Sequence, residues 1–230
     1  MVPRQLALAL AHAENFARED FLTGPSNAVA LALIEQWPDW PTRVVVLGGP
    51  EGAGKSHLAA IWAQIAGARF VAARALDVDT VPSALATGAL VIEDVAELVD
   101  ERALFHLINL AQEDNAYVLI IARTPPASWN IDLRDLASRL KALPVVTLAS
   151  PDDALLRAVL VKLFADRQLA VDESLITFLA TRIERSFAAA RGVVDRLDRE
   201  ALRQKRPVTR SLAAELLREA SLTEASDNPG

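Results

Sequence analysis

The chain has 230 residues, no cysteine and a formal net charge of −6. That length accommodates one ordinary domain and a smaller companion, and an apolar content of 52% supplies a packed core. The lack of cysteine excludes a disulfide scaffold, thiol catalysis and cysteine-ligated metal. Net acidity argues against a general polyanion binder. No basic stretch leads into a long apolar run at the N-terminus, and no segment nears about 18 uninterrupted apolar residues, which reads as a cytoplasmic chain with no membrane span. Residues 1–149 carry 11 basic and 17 acidic groups (−6), residues 150–222 carry 13 and 11 (+2), and the remainder adds −2. Any basic patch therefore belongs to the C-terminal part.

The first segment, residues 1–15, contains Arg4-Gln5-Leu6-Ala7-Leu8-Ala9-Leu10. Its leucines either pack on their own sheet as an edge strand or helix start, or fill apolar pockets of a partner while the Gln5 amide bonds at the rim. From residue 16 to 149, short apolar runs alternate with helical patterns. Val44–Leu47, Phe70–Ala72, Leu90–Ile92, Val118–Ala122 and Val145–Leu148 each read as a fully buried strand. Leu58, Ile61, Trp62 and Ile65 recur at helical spacing between Lys55 and Ala66, and Ala103–Gln112 is also helical. Buried strands alternating with helices predict an α/β fold, a parallel sheet wrapped on both faces.

The pattern changes at Ser150. Ser150-Pro-Asp-Asp153 offers a capping hydroxyl, a proline at the first helical position and a carboxylate one turn in. Beyond it nothing reads as a strand, and Leu155–Leu169, Ser174–Ile183, Phe187–Gln204 and Thr209–Ser221 read as amphipathic helices. These residues, 150–222, are expected to form a small helical lid, with 223–230 a frayed tail.

The chemistry concentrates after the first strand. Gly49-Pro50-Glu51-Gly52-Ala53-Gly54-Lys55-Ser56 matches G-x-x-x-x-G-K-[ST] in full, between a buried strand and an amphipathic helix. Glycines let such a loop close around an anion so that amides point inward, and the helix N-terminus adds partial positive charge. Lys55 is placed to reach β- and γ-phosphates and Ser56 to ligate Mg²⁺. Ala89-Leu-Val-Ile-Glu93-Asp94 ends another buried strand in two acids, which suit a second Mg²⁺ ligand (Glu93) and a polariser of attacking water (Asp94).

With these residues the chain resembles the nucleotide-binding domain of DnaA and its AAA+ relatives. Phe21-Leu-Thr-Gly24-Pro-Ser26-Asn27-Ala is similar to the family's lead-in segment, which helps to enclose adenine. The stretch from Gly49 to Leu58, His57 included, is similar to its Walker A segment, and Phe105-His106-Leu-Ile-Asn109 to the helix after Walker B. Ile120-Ile-Ala-Arg123-Thr124-Pro-Pro resembles sensor 1, and Leu136-Ala-Ser138-Arg139-Leu140 the segment that carries the arginine finger. The resemblance implies bound ADP or ATP with Mg²⁺, and an Arg139 that serves a nucleotide held by a neighbour. Four positions depart from the pattern. Glu93 stands for the usual aspartate, Arg123 and Thr124 for small polar or acidic residues, and Ala188 for the sensor 2 arginine, with Arg191 one turn later on the same face. These departures weaken the case for intrinsic hydrolysis.

Initiators of this family continue into a helix-turn-helix domain that reads duplex DNA, for which this sequence has no room. The resemblance of Gln5, Leu6 and Leu8 to peptides that bind the DNA polymerase sliding clamp then points to the Hda family of DnaA regulatory inactivators. The partners so implied are DnaA and the clamp, with self-association through AAA+ interfaces, and no sequence-specific DNA reader. A stand-alone ATPase similar to helicase loaders, or a nucleotide-sensing scaffold, are the alternative readings.

The remaining candidates read more plainly. His12, His57 and His106 have no metal-ligand spacing, and the four tryptophans, Trp37, Trp40, Trp62 and Trp129, have no interleaved basic residues. Arg196, Arg199, Arg203, Lys205, Arg206 and Arg210 form a basic cluster interrupted by Asp195, Asp198 and Glu200, either a solvated helix face or a contact for DNA.

Overall fold

A computed structural model describes residues 16–226, with side chains to Glu219. The peptide containing Gln5, Leu6 and Leu8 lies outside the described residues, as do His12 and residues 227–230. Five strands form one parallel sheet: β1 (Val44–Gly48), β2 (Arg69–Ala72), β3 (Ala89–Glu93), β4 (Tyr117–Ala122) and β5 (Val145–Thr147). Their spatial order is β2-β3-β4-β1-β5. Consecutive residues of the central strands face opposite sides. Val44, Val46, Leu90, Ile92, Val118 and Ile120 join one core, and Val45, Leu47, Val91, Leu119 and Ile121 the other. The first core is closed by α4 (Glu101–Glu113) and α5 (Arg134–Ala142), through Leu104, Leu107, Leu136 and Leu140. The second is closed by α1 (Ala28–Glu35) and α2 (Lys55–Ala66), through Leu31, Ile34, Leu58 and Trp62. Burial on both faces is why these strands carry unbroken apolar runs.

Two strands correct the expectation of full burial. β2 and β5 are the edges of the sheet, Phe70 is 44% exposed, and Val145 and Thr147 face solvent. Trp40 stacks on Trp62 with ring centroids 4.9 Å apart and donates its indole N–H to the Leu33 carbonyl at 2.7 Å. The tryptophan-rich turn thus seals the end of a core. A short helix, α3 (Val81–Leu85), precedes β3.

After β5 the chain is helical: α6 (Asp153–Asp166), α7 (Glu173–Ala180), α8 (Phe187–Gln204) and α9 (Arg210–Ser226). The cap of α6 is Asp152, not Ser150; its carboxylate accepts the Leu155 N–H at 2.8 Å. Asp172 and Ser186 cap α7 and α8 in the same way. Each such cap satisfies an otherwise orphaned amide, worth about 1 kcal/mol. α9 runs to Ser226, past the expected end at Ser221. Leu156, Leu160, Phe164, Leu179, Val194, Leu197 and Leu212 build a separate helical core. Among the described residues, no helix is long and apolar enough to cross a membrane.

Candidate nucleotide site

β1 delivers the chain into a loop whose backbone only glycine tolerates. Gly49, Gly52 and Gly54 have φ of 142°, 70° and 98°. A Cβ on Gly49 would lie 2.5 Å from the Leu148 carbonyl oxygen, and one on Gly52 2.8 Å from Cβ of Ser186. The loop leads directly into α2, whose N-terminal amides and partial positive charge face the same space.

A cleft of about 590 Å³ opens above the strand ends, within the size range of small-ligand sites. Glu51, Gly52, Gly54, Lys55, Ser56 and His57 line it from the loop and α2. Glu93 and Asp94 line it from the end of β3, Arg123 from the end of β4, and Ala188 and Arg191 from α8. Pro50 and Ala53 do not. Pro50 contributes its carbonyl to Lys55, and Ala53 is buried in the core beneath the loop.

Lys55 is buried, and its ammonium donates to the Gly49 and Pro50 carbonyls, both at 2.7 Å. Burial holds its pKa below the ordinary lysine value, the positive charge of Arg123 lowers it further, and Glu51 works in the opposite direction. Burial, then the neighbouring Asp94 charge, holds the Glu93 carboxyl above the usual range. Asp94 adopts a left-handed backbone conformation, φ 53°, at the strand end.

A second cavity, about 390 Å³, lies between the sheet domain and the helical domain. Phe16, Phe21 and Leu22 line it from the lead-in segment, Val159 and Leu163 from α6, and Phe187 from α8. Phe16, Gly54, His57 and Arg191 border both cavities, so the two form one continuous groove. His57 is held edge-on by Phe16 and Phe21, each with ring centroids 5.2 Å away. Two contacts clasp the domains across this groove. The Phe187 N–H donates to the Gly52 carbonyl at 2.8 Å, and the Lys162 ammonium donates to Asp20 at 2.7 Å. The Asp20 bond raises the Lys162 pKa above its ordinary value, against an opposing desolvation.

The groove has room for an adenine nucleotide: a cavity whose apolar side chains, Phe16, Phe21, Val159, Leu163 and Phe187, are mixed with the charged Asp20, Lys162, Asp166, Arg167, Arg191 and Asp195, joined to a glycine cradle lined by Lys55 and Arg123. Ser56, Glu93 and Asp94 at the cradle supply hard oxygen donors suited to Mg²⁺ beside phosphate. Arg139 stands apart from this groove. It is exposed on α5, with its guanidinium 5.0 Å from the centre of the Phe105 ring. In the basic cluster, Arg203 pairs with Glu200, Arg206 pairs with Glu215, and Arg199 bonds the Asp195 carbonyl.

Comparison with solved structures decides the fold. Domain III of DnaA from Thermotoga maritima superposes with a TM-score of 0.76 over 90% of this chain and 97% of that one, at 19% identity. The fold is DnaA-like AAA+. AMPPCP-bound DnaA from Aquifex aeolicus (TM-score 0.67, 15% identity, 80% and 65% covered) shares this AAA+ fold. So does the RuvB Holliday junction branch migration motor of Thermotoga maritima (TM-score 0.71, 17% identity, 87% and 70% covered). In sequence, the chain is 26% identical to the chromosomal replication initiator protein DnaA of Thermomicrobium roseum, over 87% of its own length. It spans about half of that relative, 49%. No protein-family model matches the chain.

The loop, the acid pair and the Phe21 segment singled out in the sequence line this one groove. Sequence reading missed Val159, Leu163 and Phe187, whose helical spacing marks them only as apolar. It also missed the ion pair between Glu51 and Arg123, 3.0 Å apart. No local signal announces that contact, because its partners sit on different strand ends.

Proposed function

We propose that this chain binds ADP or ATP with Mg²⁺ and regulates replication initiation by promoting hydrolysis of ATP bound to DnaA while docked on the sliding clamp. The carrying observation is the placement of Arg139. It is an exposed cation in the last turn of α5, outside the lining of the chain's own groove and accessible to a neighbour's nucleotide. A fixed guanidinium there neutralises charge on a transferring phosphoryl group. The cation–π contact with Phe105 limits its rotamers and so lowers the entropy lost on docking.

The chain's own residues support nucleotide retention more than turnover. Lys55 would give phosphate oxygens the donors that it now places on Gly49 and Pro50. Phe16, Phe21 and Leu163 would exclude water from the base, and Arg191 would face the phosphates from α8. Ser56 and Glu93 would hold Mg²⁺, which supplies Lewis-acid neutralisation of phosphate charge when bound. Asp94 is the candidate to orient water. Ala188 brings no cation to the cleft from the start of α8. The similarity to DnaA supports a replication context. Clamp docking rests on the residue pattern of Gln5, Leu6 and Leu8.

The test measures hydrolysis of DnaA-bound ATP in the presence of clamp on DNA. Arg139→Ala is expected to lower the stimulation on the order of 1,000-fold, with nucleotide binding by the chain itself retained. Gln5→Ala with Leu6→Ala should remove the clamp-dependent part alone. Equal stimulation by wild type and both variants would refute the proposal.

A further inference from the structure

The helix that carries Arg139, α5, begins without a cap of its own: Leu133 holds the cap position and offers no acceptor side chain. A carboxylate from another helix reaches that point instead. Oε1 of Glu101 accepts the Asp132 N–H at 2.9 Å and Oε2 accepts the Leu133 N–H at 2.7 Å, across 31 and 32 residues of sequence. Glu101 is itself held in place, since Asp100 accepts the Arg102 and Ala103 amides at 2.9 and 3.2 Å and so caps α4 around it. One turn along α4, on the same face, the Phe105 ring meets the Arg139 guanidinium at 5.0 Å. Two residues of α4, four positions apart, thus hold both the start of α5 and the cation near its end.

We propose that Glu101 is a positioning residue for Arg139: its carboxylate pins the entry of α5 and so sets where the guanidinium stands when a neighbour's nucleotide meets it. The inference rests on the reading of Arg139 as a finger that acts in trans.

The build of α5 shows why a pin is needed. The helix has nine residues, and its buried anchors are Leu136 and Leu140, one turn apart on a single stripe. Such a stripe decides which face turns inward and holds the middle and end of the helix. The start is held less firmly by packing, because Ile131 and Leu133 are only half-buried at the margin of the core. A carboxylate that accepts two backbone amides makes charge-assisted bonds, stronger than neutral ones, and its charge complements the positive end of the α5 dipole. Arg139 lies six residues beyond Leu133, about 9 Å along the axis. With the entry freed, a tilt of about 7° moves Arg139 by about 1 Å, and a misplacement of that size beside a reacting phosphoryl group costs about 100-fold in rate. Glu101 lines neither cavity of the chain's own groove, so the pin acts on the finger and not on nucleotide retention.

Hydrolysis of DnaA-bound ATP with clamp on DNA, followed against the concentration of the chain, tests the pin on wild type, Glu101→Ala, Glu101→Gln and Arg139→Ala. Glu101→Ala should lower the maximal stimulated rate about 30-fold. The concentration for half-stimulation, and the affinity of the chain for its own nucleotide, should change less than about twofold. Glu101→Gln is nearly isosteric and keeps one acceptor oxygen, so it should lose about fivefold; it carries the test if the alanine variant does not fold. A second readout uses the chain alone. The Arg139 side-chain N–H resonance, shifted by the Phe105 ring, should move in both Glu101 variants while the backbone resonances of α6 to α8 stay in place. If Arg139→Ala loses stimulation and both Glu101 variants match wild type, the positioning role alone is overturned. It is overturned as well by a higher half-stimulation concentration at unchanged maximal rate, which would make Glu101 part of a docking surface, and by an unmoved Arg139 resonance. If Arg139→Ala stimulates as well as wild type, the finger reading falls and takes the pin with it.

Discussion

The phosphate cleft and the base–lid crevice share Gly54, His57 and Arg191, yet they are built by opposite means. The cleft is anchored by backbone. Three glycines with positive φ, the start of α2 and the ends of two buried strands fix its shape, and acids (Glu51, Glu93, Asp94, Glu97) and cations (Lys55, Arg123, Arg191) both line it. The crevice is lined by side chains gathered from the lead-in segment, α2, α6 and α8. Backbone-built sites recognise what is common to all nucleotides, their phosphates.

The largest expected effect would break this division of labour outright. Lys55→Ala should weaken ATP and inorganic tripolyphosphate alike, by about 100-fold or more, since a buried ammonium donates charge-assisted bonds. Equilibrium binding of both ligands checks it, and a loss confined to ATP would show that the cleft is not an independent phosphate site. A smaller effect sharpens the other half. Leu163→Ala removes apolar surface from the crevice and should cost ATP about fivefold, in line with partial burial of one side chain, with tripolyphosphate unchanged. Parallel losses of the two ligands would mean that the cavities cannot be separated.

The smallest effect concerns Glu93 in metal-free, nucleotide-free protein. Its folded pKa lies above the ordinary 4.5, so the folded state holds the proton more tightly than the unfolded one. Between 4.5 and that raised value, stability from this group therefore falls as pH rises. Glu93→Gln should abolish the dependence, leaving the variant more stable than wild type near neutrality and level with it near pH 4. Denaturant unfolding across that range in chelator measures the difference, and a constant gap at every pH would contradict the burial of this carboxyl.

What sequence revealed follows the same divide. β1, the glycine loop and α2 are contiguous, and each imposes its own local requirement: unbroken apolar burial, tolerance of positive φ, and helical spacing. Strands β2 and β5 also carry apolar residues (Phe70, Val71, Val145, Val146), but burial of an edge depends on which neighbours arrive, and that is set by topology. The α6 cap shows a narrower ambiguity. Ser150 and Asp152 are both competent acceptors, and it is Asp152, with extended backbone at ψ 172°, that meets the Leu155 amide. Leu163 and Phe187 read as generic helix residues until α6 and α8 are set beside the lead-in segment. Arg123 stood out as an unexpected cation at a strand end, but its partner on the loop is a purely tertiary fact.

The bond from the Phe187 amide to the Gly52 carbonyl attaches one end of α8 to the loop beneath it. α8 has 18 residues, so it extends about 27 Å from that attachment. Its inner face, through Ala190, Val194 and Leu197, is packed in the helical core, so a displacement of α8 would carry that core with it. Any tightening of the loop that tilts the helix by about 5° swings the far end, near Gln204, through about 2 Å. A small angular change at the cradle would therefore be a displacement of ångström size at the outer surface of the helical segment.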